Sequence, residues 1–155
     1  MRMSELKILV ALAAAPATRR PLPSAKLEVN VVSKLFDANS LLGISNANAT
    51  PHQGLSSLVP TTSTQVLTHL PEAMIMHLAC HAYQDPENPL NSGFVMEDET
   101  LTMSQLIELR LNRAMLAFLS ACETARGDEA QPNQSIDLAS AMLFAGFKSV
   151  IGTMW

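Results

Sequence analysis

Ala73-Met74-Ile75-Met76-His77-Leu78-Ala79-Cys80-His81 is the stretch from which the fold is read, and Ala114-Met115-Leu116-Ala117-Phe118-Leu119-Ser120-Ala121-Cys122 repeats its character. Each is a nearly unbroken apolar run of strand length without polar alternation. That is the pattern of a strand buried on both faces of a parallel sheet. Both are therefore expected to be central strands. Parallel neighbours need a crossover between them, so the helix-like segments between apolar runs are expected on the faces of the sheet.

Working outward, Lys7 to Ala13 reads as the first buried strand. The same region, from Met1-Arg2 through the Ala-x-Ala ending at Ala15, also has the look of a short signal peptide, but Glu5 and Lys7 interrupt it and the strand reading is preferred. A proline-bearing loop with Pro16, Pro21 and Pro23 leads to Ser24, the expected N-cap of a helix through Leu35 with Leu27, Val31, Val32 and Leu35 on its inner face. A short strand is expected over Ser40 to Ile44, then a polar loop from Ser45 to about Pro60. Ser63 or Thr64 is the expected cap of a short helix to Leu70.

After His81 the chain reads as a loop containing Asp85-Pro86 and Asn88-Pro89. A hairpin follows, Gly93 to Met96 turning at Glu97-Asp98-Glu99 into Leu101 to Met103, with a helix over Ser104 to Leu109. Beyond Cys122, a polar loop from Glu123 to Gln134 precedes a helix from about Ser135 to Ala145, with Ile136, Ala139, Ser140 and Leu143 as its inner face and Gly146 as its C-cap. Lys148 to Met154 is the expected last strand. The order is that of an α/β domain with a mostly parallel sheet.

Composition narrows the function classes. The 155 residues are 48% hydrophobic, enough for one domain with a substantial core. Ten basic against fourteen acidic residues give a net charge of −4, and no cluster of Lys or Arg offers a track for phosphates, so nucleic acid is not an expected partner. No apolar run reaches the ~20 residues of a membrane-spanning helix. Cys80 and Cys122 are the only cysteines, which fits a reducing, cytoplasmic setting better than a disulfide scaffold. There is neither a Gly-x-Ser-x-Gly elbow nor a glycine-rich phosphate loop.

The chemistry sits at the strand ends. Sites in open parallel sheets form beyond the carboxyl ends of the strands, and the two central strands run into His81 and Cys122 there. An imidazole can take the proton of a thiol or stabilise its thiolate, so the pair is a candidate nucleophile and base. A zinc set built from Cys80 with His77, His81 or Cys122 is disfavoured, because adjacent strand residues such as Cys80 and His81 point to opposite faces. No metal and no cofactor is expected. His77 shares the face of His81, where it orients the base or packs. Asp128, Glu129 and Asp137 follow the cysteine; they read either as a negative pocket for a basic substrate residue or, preferably, as solvated loop carboxylates and a helix-start acid.

Taken together, His77-Leu78-Ala79-Cys80-His81, Asp85-Pro86-Glu87-Asn88-Pro89-Leu90 with Ser92-Gly93, Leu101-Thr102, Leu119-Ser120-Ala121-Cys122-Glu123-Thr124, Gly127-Asp128-Glu129, Met142-Leu143-Phe144-Ala145-Gly146 and Ser149 to Trp155 resemble the two halves of a CHAT domain. The likeness is specific from Ala73 onward and mainly one of element order before it. It implies a caspase-like three-layer α-β-α sandwich and a cysteine endopeptidase, with Cys122 attacking the scissile carbonyl and His81 managing the proton. The backbone N–H groups of Ala82 and Cys122 would then serve the oxyanion. Two departures stand beside the likeness. The family commonly has Gly where this chain has Ala82, and related domains continue past the final Trp, which implies a single domain, 1–155, incomplete at its carboxyl end. A non-catalytic interaction or signalling module therefore stays open as the alternative. Family members are often fused to tetratricopeptide repeats; none is in this sequence, so beside a protein or peptide substrate the resemblance implies a repeat-type or other regulatory partner in trans.

Overall fold

Strands β1 (Ile8–Leu12), β2 (Leu41–Leu42), β3 (Ile75–Ala79), β7 (Leu116–Ser120) and β8 (Ser149–Gly152) of the computed structural model form one parallel sheet in the order β2-β1-β3-β7-β8. Between β3 and β7, the short strands β4 (His81–Tyr83), β5 (Gly93–Val95) and β6 (Thr100–Thr102) form a separate antiparallel sheet. The helices are α1 (Pro23–Lys34), α2 (Ser63–His69), α3 (Met103–Glu108) and α4 (Leu138–Ala145). The structure describes residues 6–12, 22–35, 41–42, 61–85, 87–121 and 138–152.

Alternation along the strands divides the core in two. Leu9, Ala11, Met76, Leu78, Cys80, Ala117 and Leu119 face one side, against buried residues of α2, α3 and α4. Ile8, Val10 and Ala79 face the other side, against Ala25 and Val29 of α1. Helices thus cover both faces of a parallel sheet, the three-layer arrangement expected, and β3 is the middle strand of the order. A row of backbone bonds sets the strands level at their amino ends. Met74 N–H donates to the Lys7 carbonyl at 2.8 Å, Met115 N–H to the Met74 carbonyl at 2.8 Å, and Ser149 N–H to the Met115 carbonyl at 2.9 Å.

Both helix faces read from the sequence need correction. In α1, Ala25 and Val29 turn inward with Val32, while Leu27, Val31 and Leu35 are exposed. In α4 the buried residues are Leu138, Ala141, Met142 and Ala145, and Leu143 is exposed beside Phe144; Ala139 and Ser140 are only half-buried, and Ile136 lies outside the described residues. In α4 the inward stripe is displaced by two residues, about 200° around the helix, whereas in α1 Val32 packs inward as expected and Ala25 and Val29 replace Leu27, Val31 and Leu35. Both segments carry apolar side chains on two faces, so periodicity alone could not choose between them, and the small Ala residues let each helix approach the sheet closely.

The caps also differ. Pro23 occupies the first turn of α1 and no side chain caps it, so Ser24 is not the cap. Helix α2 begins in a capping box in which Thr62 Oγ1 accepts from the Gln65 N–H at 3.2 Å and Gln65 Oε1 accepts from the Thr62 N–H at 2.9 Å; neither Ser63 nor Thr64 is the cap. Thr102 and Gln105 repeat the box at α3. Ser63, fully buried, instead ties α2 to the β5–β6 turn: its N–H and hydroxyl donate to the Asp98 carboxylate at 2.7 and 2.8 Å.

Gly146 closes α4 as expected. Its N–H bonds the Leu143 carbonyl and the Phe147 N–H bonds the Met142 carbonyl, the two bonds of a Schellman cap, with Gly146 at φ 118°. A Cβ there would also collide with the Leu111 carbonyl oxygen. Gly146→Ala is expected to cost about 2 kcal/mol or more from the backbone alone. A urea unfolding midpoint unchanged from wild type would contradict this.

Candidate active site

His81 leaves the carboxyl end of the central sheet at a bend: β3 ends at Ala79, Cys80 is buried, and His81 opens β4 opposite Val95 of β5. The sequence read this segment as loop. Three residues are too few to show a strand pattern, and their partner lies across a hairpin. Beside His81, Ala82 pairs with Phe94. Arg110 is the one non-glycine residue with positive φ among the described residues, so Ala82 has backbone that any residue adopts and its Cβ brings no conformational penalty. Ala in the place where the family commonly has Gly therefore meets no backbone strain here.

Beyond β4, Asp85 organises the return. Its N–H donates to Ser92 Oγ at 2.9 Å, and its carboxylate accepts from the N–H groups of Asn88 at 2.9 Å and Glu87 at 3.0 Å. The Asn88 bond leads in holding the Asp85 carboxyl below its usual range. Gly93 follows where β5 passes so close to β6 that a Cβ would strike the Leu101 carbonyl oxygen. The histidine-bearing strand is thus fastened where β4 turns into β5.

Beneath the rim, on the α1 face, lies a polar cluster. The His77 ring stacks on Phe118 of β7, with centroids 5.1 Å apart and planes 22° apart. Its Nε2 is 3.4 Å from Glu28 Oε1 of α1 yet makes no hydrogen bond, although it is buried. The other carboxylate oxygen of Glu28 accepts from Ser120 Oγ at 2.9 Å. Burial pushes the His77 pKa down from 6.5, against a smaller upward pull from the Glu28 carboxylate. Sequence reasoning named His77 but missed Glu28 and Ser120, because only the docking of α1 on the β3–β7 seam brings them together.

Of the residues singled out from the sequence, His81 and Ala82 are described here, whereas Cys122, Asp128, Glu129 and Asp137 lie outside the described residues. Among the described residues, no three His, Cys, Asp or Glu side chains gather as a metal set, and no helix is long and apolar enough to cross a membrane.

The family model of the CHAT domain matches residues 4–155. The chain belongs to the CHAT family. No curated protein matches it. The CHAT domain is a caspase-like fold, and the sheet with helices on both faces is the sandwich that membership requires.

The lowered pKa of His77 has a sign that can be tested. Near pH 6.5 the unfolded chain binds more protons at this residue than the folded one, so the stability tied to neutral His77 is complete above that value and is lost as pH falls through the folded pKa. Urea midpoints of the wild type and His77→Gln, compared at pH 7.5, 6.5 and 5.5, are expected to converge on acidification. A difference that stays constant or widens would contradict the assignment.

Proposed function

We propose that this CHAT domain is a cysteine endopeptidase that cleaves protein substrates with a dyad of Cys122 and His81. The observation that carries the reading is the β3–β7 register. Each residue of β3 stands opposite the residue 41 positions further on, from Ile75 with Leu116 to Ala79 with Ser120, and 41 is also the step from His81 to Cys122. Counted two positions past the last paired residues, the same step joins 81 to 122; His81 has by then turned at Cys80 to pair with Val95, so the register supports the neighbourhood of the two positions rather than a ladder pair. Neighbouring strands lie ~4.8 Å apart, so a thiol and an imidazole that follow the ends of two such strands would be within reach of each other.

The chemistry follows from the residue types. His81 takes the proton of the Cys122 thiol, and the thiolate adds to the scissile carbonyl. The Ala82 and Cys122 N–H groups donate to the oxyanion of the tetrahedral adduct. Collapse of the adduct breaks the C–N bond, His81 returns the proton to the departing amine, and an acyl-enzyme remains. Water, deprotonated by His81, hydrolyses the thioester and restores the thiol. Asp128, Glu129 and Asp137 are read first as solvated carboxylates and a helix-start acid; cleavage of a peptide library with enrichment of Arg or Lys before the cut would instead favour the alternative, a negative pocket for a basic substrate residue. A regulatory partner acting in trans is part of the same reading.

Cys122→Ala is expected to abolish hydrolysis of a peptide library while leaving the free energy of unfolding within ~1 kcal/mol of wild type. Hydrolysis that survives the substitution would remove the assignment. Folded protein whose Cys122 proves inert to a thiol-directed probe would instead support the non-catalytic module.

A further inference from the structure

Glu28 lies on α1, yet its carboxylate spans β3 and β7, the two strands that precede the dyad positions in sequence. One oxygen accepts from Ser120 Oγ on β7 and the other lies 3.4 Å from His77 Nε2 on β3. Since His77 stands level with Phe118 and Ser120 with Ala79, the bridge crosses the β3–β7 seam diagonally. His81 lies four positions beyond His77, and Cys122 two beyond Ser120.

The surroundings make this bridge more than surface decoration. His77 is buried, its ring is held against Phe118, and its Nε2 has no hydrogen-bond partner. An isolated polar atom in such a place is costly, and Glu28 is the group poised to meet it. Its neighbours in register, Val10 on β1 and Phe118 on β7, carry no charge. Among the described residues, Glu28 is the charged group that faces His77 from the helix packed over it.

We propose that Glu28 is a positioning residue: its carboxylate, which accepts from Ser120 and is set against His77, steadies the last residue of β7 against β3 next to the positions proposed for the dyad. The inference rests on the dyad reading given above. Its consequence is that losing the bridge loosens the imidazole–thiol pair, so the Cys122 thiolate is less well stabilised. A purely through-space effect of Glu28 has the opposite sign, because removing a negative charge favours a thiolate. Ser120→Ala changes no charge, and so reports on position alone.

The test is the rate of Cys122 alkylation by iodoacetamide between pH 5 and 9, read on the Cys122 peptide by mass spectrometry with the full chain. Wild type, Glu28→Gln, Ser120→Ala, their double variant and His81→Asn are compared. Both single variants are expected to alkylate about 3- to 10-fold more slowly at pH 6, with the midpoint of the profile raised by up to ~1 unit. The double variant is expected to be no slower than the worse single, since both break one bridge. A role confined to stability would lower the unfolding midpoint and leave the alkylation profile in place, and that result overturns the proposal, as does faster alkylation in Glu28→Gln. If His81→Asn slows alkylation while the bridge variants match wild type, positioning fails and the dyad stands. If His81→Asn has no effect, the dyad reading fails and the positioning role falls with it.

Discussion

The parallel pairing of β3 with β7 is the constraint on which the rest depends. Both strands are apolar because the sheet is covered on both sides, and their alternation is fixed by what each side accepts. Met76, Leu78, Ala117 and Leu119 enter the large core, while His77, Phe118 and Ser120 face α1. Each large side chain so buried contributes roughly 1.5–3 kcal/mol. A slip of one residue in β3 would exchange the faces, driving His77 into the apolar core and Leu78 toward Glu28. The row of bonds through Met74, Met115 and Ser149 aligns the strands at one end, and so sets where they end at the other.

From that alignment the rim is built by local chemistry. The bend at Cys80 carries the chain out of the main sheet, and β4, β5 and β6 hold the segment that begins with His81. The Asp85–Ser92 bond fastens one end of this hairpin sheet. The Ser63–Asp98 bonds fasten the other; burial pulls the Asp98 carboxyl up, but the hydrogen bonds from Ser63 and Glu99 outweigh it and hold its pKa below the usual value. The hairpin sheet is therefore tied to α2 as well as to β3.

Much of this was legible from the residues. The apolar runs ending at Cys80 and Ala121 became β3 and β7, the hairpin at Glu97-Asp98-Glu99 formed, and Gly146 closed α4. The faces of α1 and α4 were not legible, since each helix is apolar on more than one side and only the sheet decides which side is buried. Thr62-Ser63-Thr64-Gln65 did carry a capping-box signature, one residue earlier than the caps expected. Strand β4 and the Glu28 bridge were invisible for a different reason. Both are made by partners distant in sequence, and Glu28 looks like any charged residue of an amphipathic helix until α1 is docked.

The central proposal is that positions 81 and 122 lie close together beyond the carboxyl ends of β3 and β7. It is tested most directly by replacing His81 with Cys in a Cys80→Ser background and following mild oxidation. A disulfide to Cys122 requires Cα atoms about 4.4–6.8 Å apart, a separation that neighbouring strands provide and that opposite rims do not. Rapid and nearly complete crosslinking within the monomer is the expected result. Two thiols that stay reactive toward alkylation in the folded protein yet never join would contradict the account.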